Sequence, residues 1–345
     1  MDLRSLNRPA GMGLSPKKVR SNRTRPLATG TEPARLSPVK SDLDHLPQKQ
    51  QDELSRVRQI LLSEFEIARD SGGGGTQPWR RNGHIQKIIL FGSYARQDWV
   101  DEPENGYLSD FDLLIVVSDE KLTDIASYWW AAEDRILHDP AIGRTVNIIV
   151  HDLAEVNEAL GRGEYFWADI LRDGVALYEL PGHSFAVAKP ITATDAATIA
   201  ERHFESRFGD IDLWLENASS MLCDLADHRR RKNAAFQLHQ AVETAYACML
   251  LVHTFYFPRS HNIKFLRSLT EDIDRRLVEA WPREQKVDRR RFELLKRAYV
   301  EARYSDQFDA SVEDLQALTA AAVRLREVVG LVCRERLATL REHAG

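Results

Sequence analysis

Cysteine is scarce in this chain. Three residues in 345, Cys223, Cys248 and Cys333, stand far apart with no C-x-x-C spacing. That excludes a disulfide framework and a cysteine zinc site, and fits reduced thiols in a cytoplasmic setting. Long apolar runs are missing too. Runs such as residues 113–117 and 249–252 fall far short of the about 20 residues that span a bilayer, so no membrane partner is expected. No charged segment followed by an apolar one opens the chain, so a secretory signal is not expected either.

Charge is present in abundance but unevenly. Residues 1–40 hold nine Lys and Arg against two acids, Asp2 and Glu32, while the whole chain carries a formal net charge of −5. The acidic remainder argues against general nucleic-acid binding. The basic segment is rich in Pro, Ser and Arg and has no apolar period, which predicts a disordered tail over residues 1–45. Its contact with RNA is expected to be weak and local.

Ordered structure is expected from residue 46. Leu54, Val57, Ile60, Leu61, Phe65 and Ile67 fall at helical spacings. After a break containing four consecutive glycines come three β-rich runs, IQKIILF, DLLIVV and TVNIIV, and later VALYE, interleaved with helical segments. Mixed strands and helices with long crossovers predict an α/β (α+β) layer domain over residues 46–180. Residues 181–194, PGHSFAVAKPITAT, read as a linker. Beyond them the period changes: Phe204, Phe208, Ile211, Leu215, Ala218 and Leu222 follow alternating four- and three-residue steps, as do Ala235, Leu238, Val242, Ala245, Met249 and Val252. Four such segments predict an all-α up-and-down bundle over residues 195–345.

The chemistry concentrates in FGSYARQDWVDEPENGYLSDFDLLIVV. Asp110 and Asp112 are two apart on a strand, so both side chains leave the same face. Two close carboxylates repel unless a cation sits between them, and Mg²⁺ (or Mn²⁺) takes carboxylate and phosphate oxygens together. Gly92 allows close backbone approach, and Ser93 stands where a helix begins, with free N–H groups suited to phosphate. Gly92, Ser93 and Arg96 are the candidate nucleotide-binding residues, and Asp110 and Asp112 the candidate metal-binding and catalytic ones.

LFGSYARQ followed by SDFDLLIV resembles the signature of nucleotidyltransferases of the DNA polymerase β superfamily, especially the minimal and kanamycin-type enzymes. The resemblance implies NTP and Mg²⁺ as ligands and transfer of a nucleotidyl group, AMP first among the candidates, to a hydroxyl acceptor. It also implies a third acid on a later strand, where TVNIIV offers Asn147. An amide cannot act as a base. Glu133, Asp134 and Asp152 are the candidate substitutes.

The second half, through SHNIKFLRSL and LLKRAYVEARYSDQF, resembles a HEPN domain. Minimal nucleotidyltransferases and HEPN domains are frequent neighbours in prokaryotes, and some form toxin–antitoxin pairs. A homodimer or a second HEPN protein is therefore an expected partner, and the acceptor is expected to be a small molecule or a protein tyrosine. The R-x(4–6)-H motif of HEPN ribonucleases occurs only as Arg144…His151 and Arg336…His343, neither well placed, so a ribonuclease ranks last. A catalytically weak nucleotide-binding regulator is the intermediate alternative. Asn262 reads as a helix N-cap and His239 as a core residue. Arg303 and Tyr304 are expected either to line the cleft, or supply its acceptor, or to close the bundle.

Overall fold

The computed structural model describes residues 40–71, 77–102, 107–222, 226–258 and 260–345, all within one compact unit, Pro33–Gly345. Residues 1–39 of the basic tail expected over 1–45, and Cys223, lie outside the described residues; residues 40–45 are ordered, with Lys40 bridged to Val175.

A helix α1 (Gln48–Asp70) and a short α2 (Pro78–Arg81) lead into β1 (Ile85–Phe91). One turn, α3 (Ser93–Arg96), and a two-residue ribbon, β2 (Asp101–Glu102) with β3 (Tyr107–Leu108), follow. Then come β4 (Phe111–Val117), α4 (Ile125–Tyr128), α5 (Trp130–His138), β5 (Val146–Asp152), α6 (Leu153–Gly161), α7 (Tyr165–Asp173) and β6 (Val175–Glu179). The sheet order is β5-β4-β1-β6, with β4 parallel to β5 and the other pairs antiparallel.

The two inner strands, β1 and β4, are buried at every position, which explains their near-continuous apolar sequence. The edge strand β5 alternates between buried and half-buried residues. α1 packs its apolar stripe on α4, α5 and β6. Phe65 stacks on the fully buried Trp129, whose Nε1 donates to Leu122 O at 2.8 Å. Ile67 belongs to the expected stripe but is 59% exposed, and in that last turn Ala68 packs against the core in its place.

The C-terminal half is helical: α8 (Ala193–Met221), α9 (His228–Thr254), α10 (Ile263–Ile273), α11 (Lys286–Tyr304) and α12 (Val312–Ala344). α9 is central, packing against α8, α10, α11 and α12. Its fourteen buried residues include His239, with no solvent exposure. Burial lowers the pKa of His239 to about 4, so it is neutral there. The short α10 is an addition to the four long helices legible in the sequence. Asn262 caps it, accepting from Lys264 N at 3.1 Å and Phe265 N at 3.4 Å. Asn262→Ala is expected to lower stability by about 1 kcal/mol in denaturant unfolding, since those amides lose their acceptor. An unchanged midpoint would remove the cap from the account.

The halves meet in an aromatic joint. Phe255 and Tyr256, just past α9, stack on Tyr165 and Phe166 of α7, and Tyr256 Oη lies 2.9 Å from His151 Nε2 on β5. Among the described residues no helix is long and apolar enough to cross a membrane.

Candidate functional site

Strand register assembles the site. Asp112 pairs with Phe91 on one side and with Asn147 on the other, so the residue after Phe91, Gly92, arrives beside the Asp112 side chain. Gly92 has φ +76°, a left-handed conformation that side chains disfavour. A Cβ built there would lie 2.7 Å from Asp112 Oδ2, so only glycine lets the turn approach the acid this closely. Ser93 follows, buried, at the start of α3.

Asn147 binds both acids: its Nδ2 donates to Asp112 Oδ1 at 2.9 Å and to Asp110 Oδ2 at 3.3 Å. Burial pushes the Asp112 carboxyl well above its ordinary value, with the charge of Asp272 as the next cause; the Asn147 bond works the other way. Burial raises Asp110 too, against the charge of Lys264 and the Asn147 bond. Both acids are therefore short of positive charge.

They line a cleft of about 660 Å³ whose far wall belongs to the helical half. Lys264, Arg267, Glu271 and Asp272 of α10 face Ser93, Asp110, Asp112 and Thr145 across it. Lys264 Nζ donates to Thr145 Oγ1 at 2.9 Å. Glu271, 1% exposed, is bound by Arg267 Nε at 2.7 Å and also by Arg283. Arg267 lies over the Phe292 ring, 4.6 Å from its centre.

Of the expected residues, Arg96 is placed differently from its reading, and for Arg303 and Tyr304 the cleft alternative is the one the structure does not take. Arg96 does not line the cleft: its Nη2 donates to Asp272 Oδ2 at 3.0 Å and its Nε to Asp98 at 3.4 Å. Arg303 and Tyr304 also lie outside the cleft lining. Arg303 stacks over Tyr299 at 4.4 Å and Tyr304 is 77% exposed. Of the acids weighed as substitutes for Asn147, Glu133 lines the cleft, and desolvation between the walls raises its pKa although the residue is reached by solvent. Asp134 faces His138, and Asp152 caps α6 at the opposite end of β5.

The arginine and histidine of each motif are held by different partners and not by each other, although Arg144 lines the cleft. Arg144 donates to Glu53 at 2.9 Å and lies over the Tyr94 and Phe111 rings; His151 bonds Glu155 at 2.8 Å and Tyr256. Arg336 lies over Tyr165, and His343 bonds Thr339 O.

Lys264 and Asp272 were missed by sequence reasoning. A signal was present: 264, 267, 268, 271 and 272 form one polar stripe on a helix, IKFLRSLTEDI, whose other residues are apolar except Thr270. A polar stripe alone reads as a solvent face, and only tertiary structure turns it towards Asp112.

The residues present suit a divalent cation that brings its own phosphate oxygens, since two carboxylates then suffice from the protein. Among the described residues no group of three His, Cys, Asp or Glu forms a ready-made ligand set. Residues 211–335 match the HEPN domain family. No curated protein matches the chain.

Proposed function

We propose that the cleft binds a nucleoside triphosphate with Mg²⁺ or Mn²⁺, and that the protein transfers NMP, with AMP the first candidate, to a hydroxyl of a small molecule or a protein tyrosine. The observation that carries this reading is the approach of Gly92 to Asp112. It sets a glycine-serine turn, which can receive phosphate, against the acids that can hold the cation. Bound there, the cation would draw negative charge off the transferring phosphoryl group. Asp110 and Asp112 would hold it, and a cation would offset the burial that disfavours the ionised form of both carboxyls.

The protein's own contribution is orientation. Gly92 and Ser93 meet phosphate from the sheet side. Lys264, bonded only to the Thr145 hydroxyl and paired with no carboxylate among the described residues, supplies positive charge from the helical side. α10 and α11 wall the cleft on the side away from the strands, which would reduce the approach of water to the reacting phosphorus.

Asn147 favours a second reading, a nucleotide-binding regulator that turns over slowly, because its amide replaces an acid that could activate the acceptor. One assay separates the two. The full chain is incubated with each of the four α-labelled NTPs in Mg²⁺ or Mn²⁺, while melting temperature is followed. Transfer of label to an added hydroxyl compound or to protein supports the enzyme. Stabilisation by metal-NTP without transfer supports the regulator. Neither effect with any NTP would overturn both.

A further inference from the structure

His261 is a polar residue of the helical half to which the nucleotide reading gives no role. It stands two residues before α10 with its side chain 58% exposed, yet it is held from two sides. Its Nδ1 lies 3.0 and 3.1 Å from the two oxygens of Glu243 on α9. Its ring stacks on Tyr299 of α11 at 4.4 Å, with 19° between the planes. An ionised carboxylate only accepts, so Nδ1 carries the proton of the bond to Glu243.

Glu243 depends on that partner. Its side chain is 14% exposed, and burial raises its carboxyl above the ordinary value, which the bond and charge of His261 oppose. His239, the other imidazole beside it at 3.7 Å, is neutral. His261 is thus the donor that supports the ionised form of Glu243.

The bond reaches the cleft through the helix it precedes. Asn262, the next residue, caps α10, and Lys264 is the second residue of that helix. Lys264 in turn crosses the cleft to the Thr145 hydroxyl. Ile263, Phe265 and Leu266 bury the apolar side of the same turn. Apolar burial is non-directional, whereas the bond to Glu243 and the flat contact on Tyr299 each require one orientation. A lysine is a point charge on a flexible stem, so the resting place of its ammonium depends on where its helix begins.

We propose that His261 is a positioning residue of the cleft: bonded to Glu243 and stacked on Tyr299, it fixes the start of α10 so that Lys264 meets the phosphates of the bound nucleotide. This inference rests on the nucleotide reading above. His261 does not line the cleft, so its effect on the ligand has to pass through Lys264.

The test is a double-mutant cycle on the full chain, reading affinity for a non-hydrolysable ATP analogue with Mg²⁺ by calorimetry. Lys264→Met is expected to weaken the analogue about 30-fold, by loss of a charged phosphate contact. His261→Ala is expected to weaken it about 10-fold, and to add less than about twofold once Lys264 is already Met. His261→Asn places an amide donor at the same reach from the backbone as Nδ1, and is expected to stay within about threefold of the parent. If His261→Ala does not fold by circular dichroism, His261→Phe takes its place in the cycle, since it keeps a ring for Tyr299 and donates nothing to Glu243. Losses that multiply in the double variant, a His261→Asn protein as weak as the alanine one, or a His261→Ala protein as tight as the parent would each overturn the role of His261 and leave the nucleotide site standing. So would a Lys264→Met protein that binds the analogue undiminished. A parent that binds no analogue would overturn the nucleotide site, and this inference with it.

Discussion

Replacing Asp110 and Asp112 together by asparagine is expected to abolish metal-dependent nucleotide binding and to lower nucleotidyl transfer by roughly 10³-fold or more, the several kcal/mol that a bound cation contributes at phosphorus. The fold should survive. Asn keeps the shape of Asp and an oxygen that can accept from Asn147, while the repulsion among Asp110, Asp112 and Asp272 falls. In metal-free buffer the melting temperature is expected to rise. The pH dependence has a definite sign. Both carboxyls bind their protons more tightly folded than unfolded, so at neutral pH their ionisation works against the fold. That penalty is relieved as pH falls through the raised folded values and is gone below the ordinary Asp value of about 3.9. The double variant's stability advantage over the parent should therefore shrink between neutral pH and that range. A double variant that is still stabilised by Mg-NTP as strongly as the parent would show that the site is elsewhere.

Glu271→Ala is expected to destabilise the protein by about 3–5 kcal/mol in denaturant unfolding. Glu271 is 1% exposed and holds Arg267, itself buried, at 2.7 Å, with Arg283 on its other oxygen. Without the carboxylate, the partners that remain for Arg267 among the described residues are neutral, the Trp281 carbonyl and the Phe292 ring. A buried charge left with neutral partners is what makes removal of one member of such a group costly. Glu271→Gln keeps the volume and one acceptor, and is expected to lose less. Equal losses in the two variants would mean that packing, and not charge, sets the effect.

The strands and long helices were legible from periodicity because burial imposes it. β1 and β4 read as near-continuous apolar runs since both faces are covered, and the helical half reads in three- and four-residue steps since each helix buries one stripe. The pairing of a glycine-serine turn with Asp110 and Asp112 was legible because all four residues are near in sequence, and one antiparallel strand pair brings them together. The role of α10 was not. Lys264 and Asp272 lie more than 150 residues beyond Asp112, on a helix whose polar stripe would look the same facing water. Arg96 looked like a phosphate contact because it follows the turn; its direction is decided by Asp272, a partner 176 residues away. Sequence by itself determined which segments bury and which short-range motif carries the acids. Only the tertiary structure decided what faces those acids, because the opposing charges come from a helix whose orientation depends on packing against α9 and on contacts across the cleft.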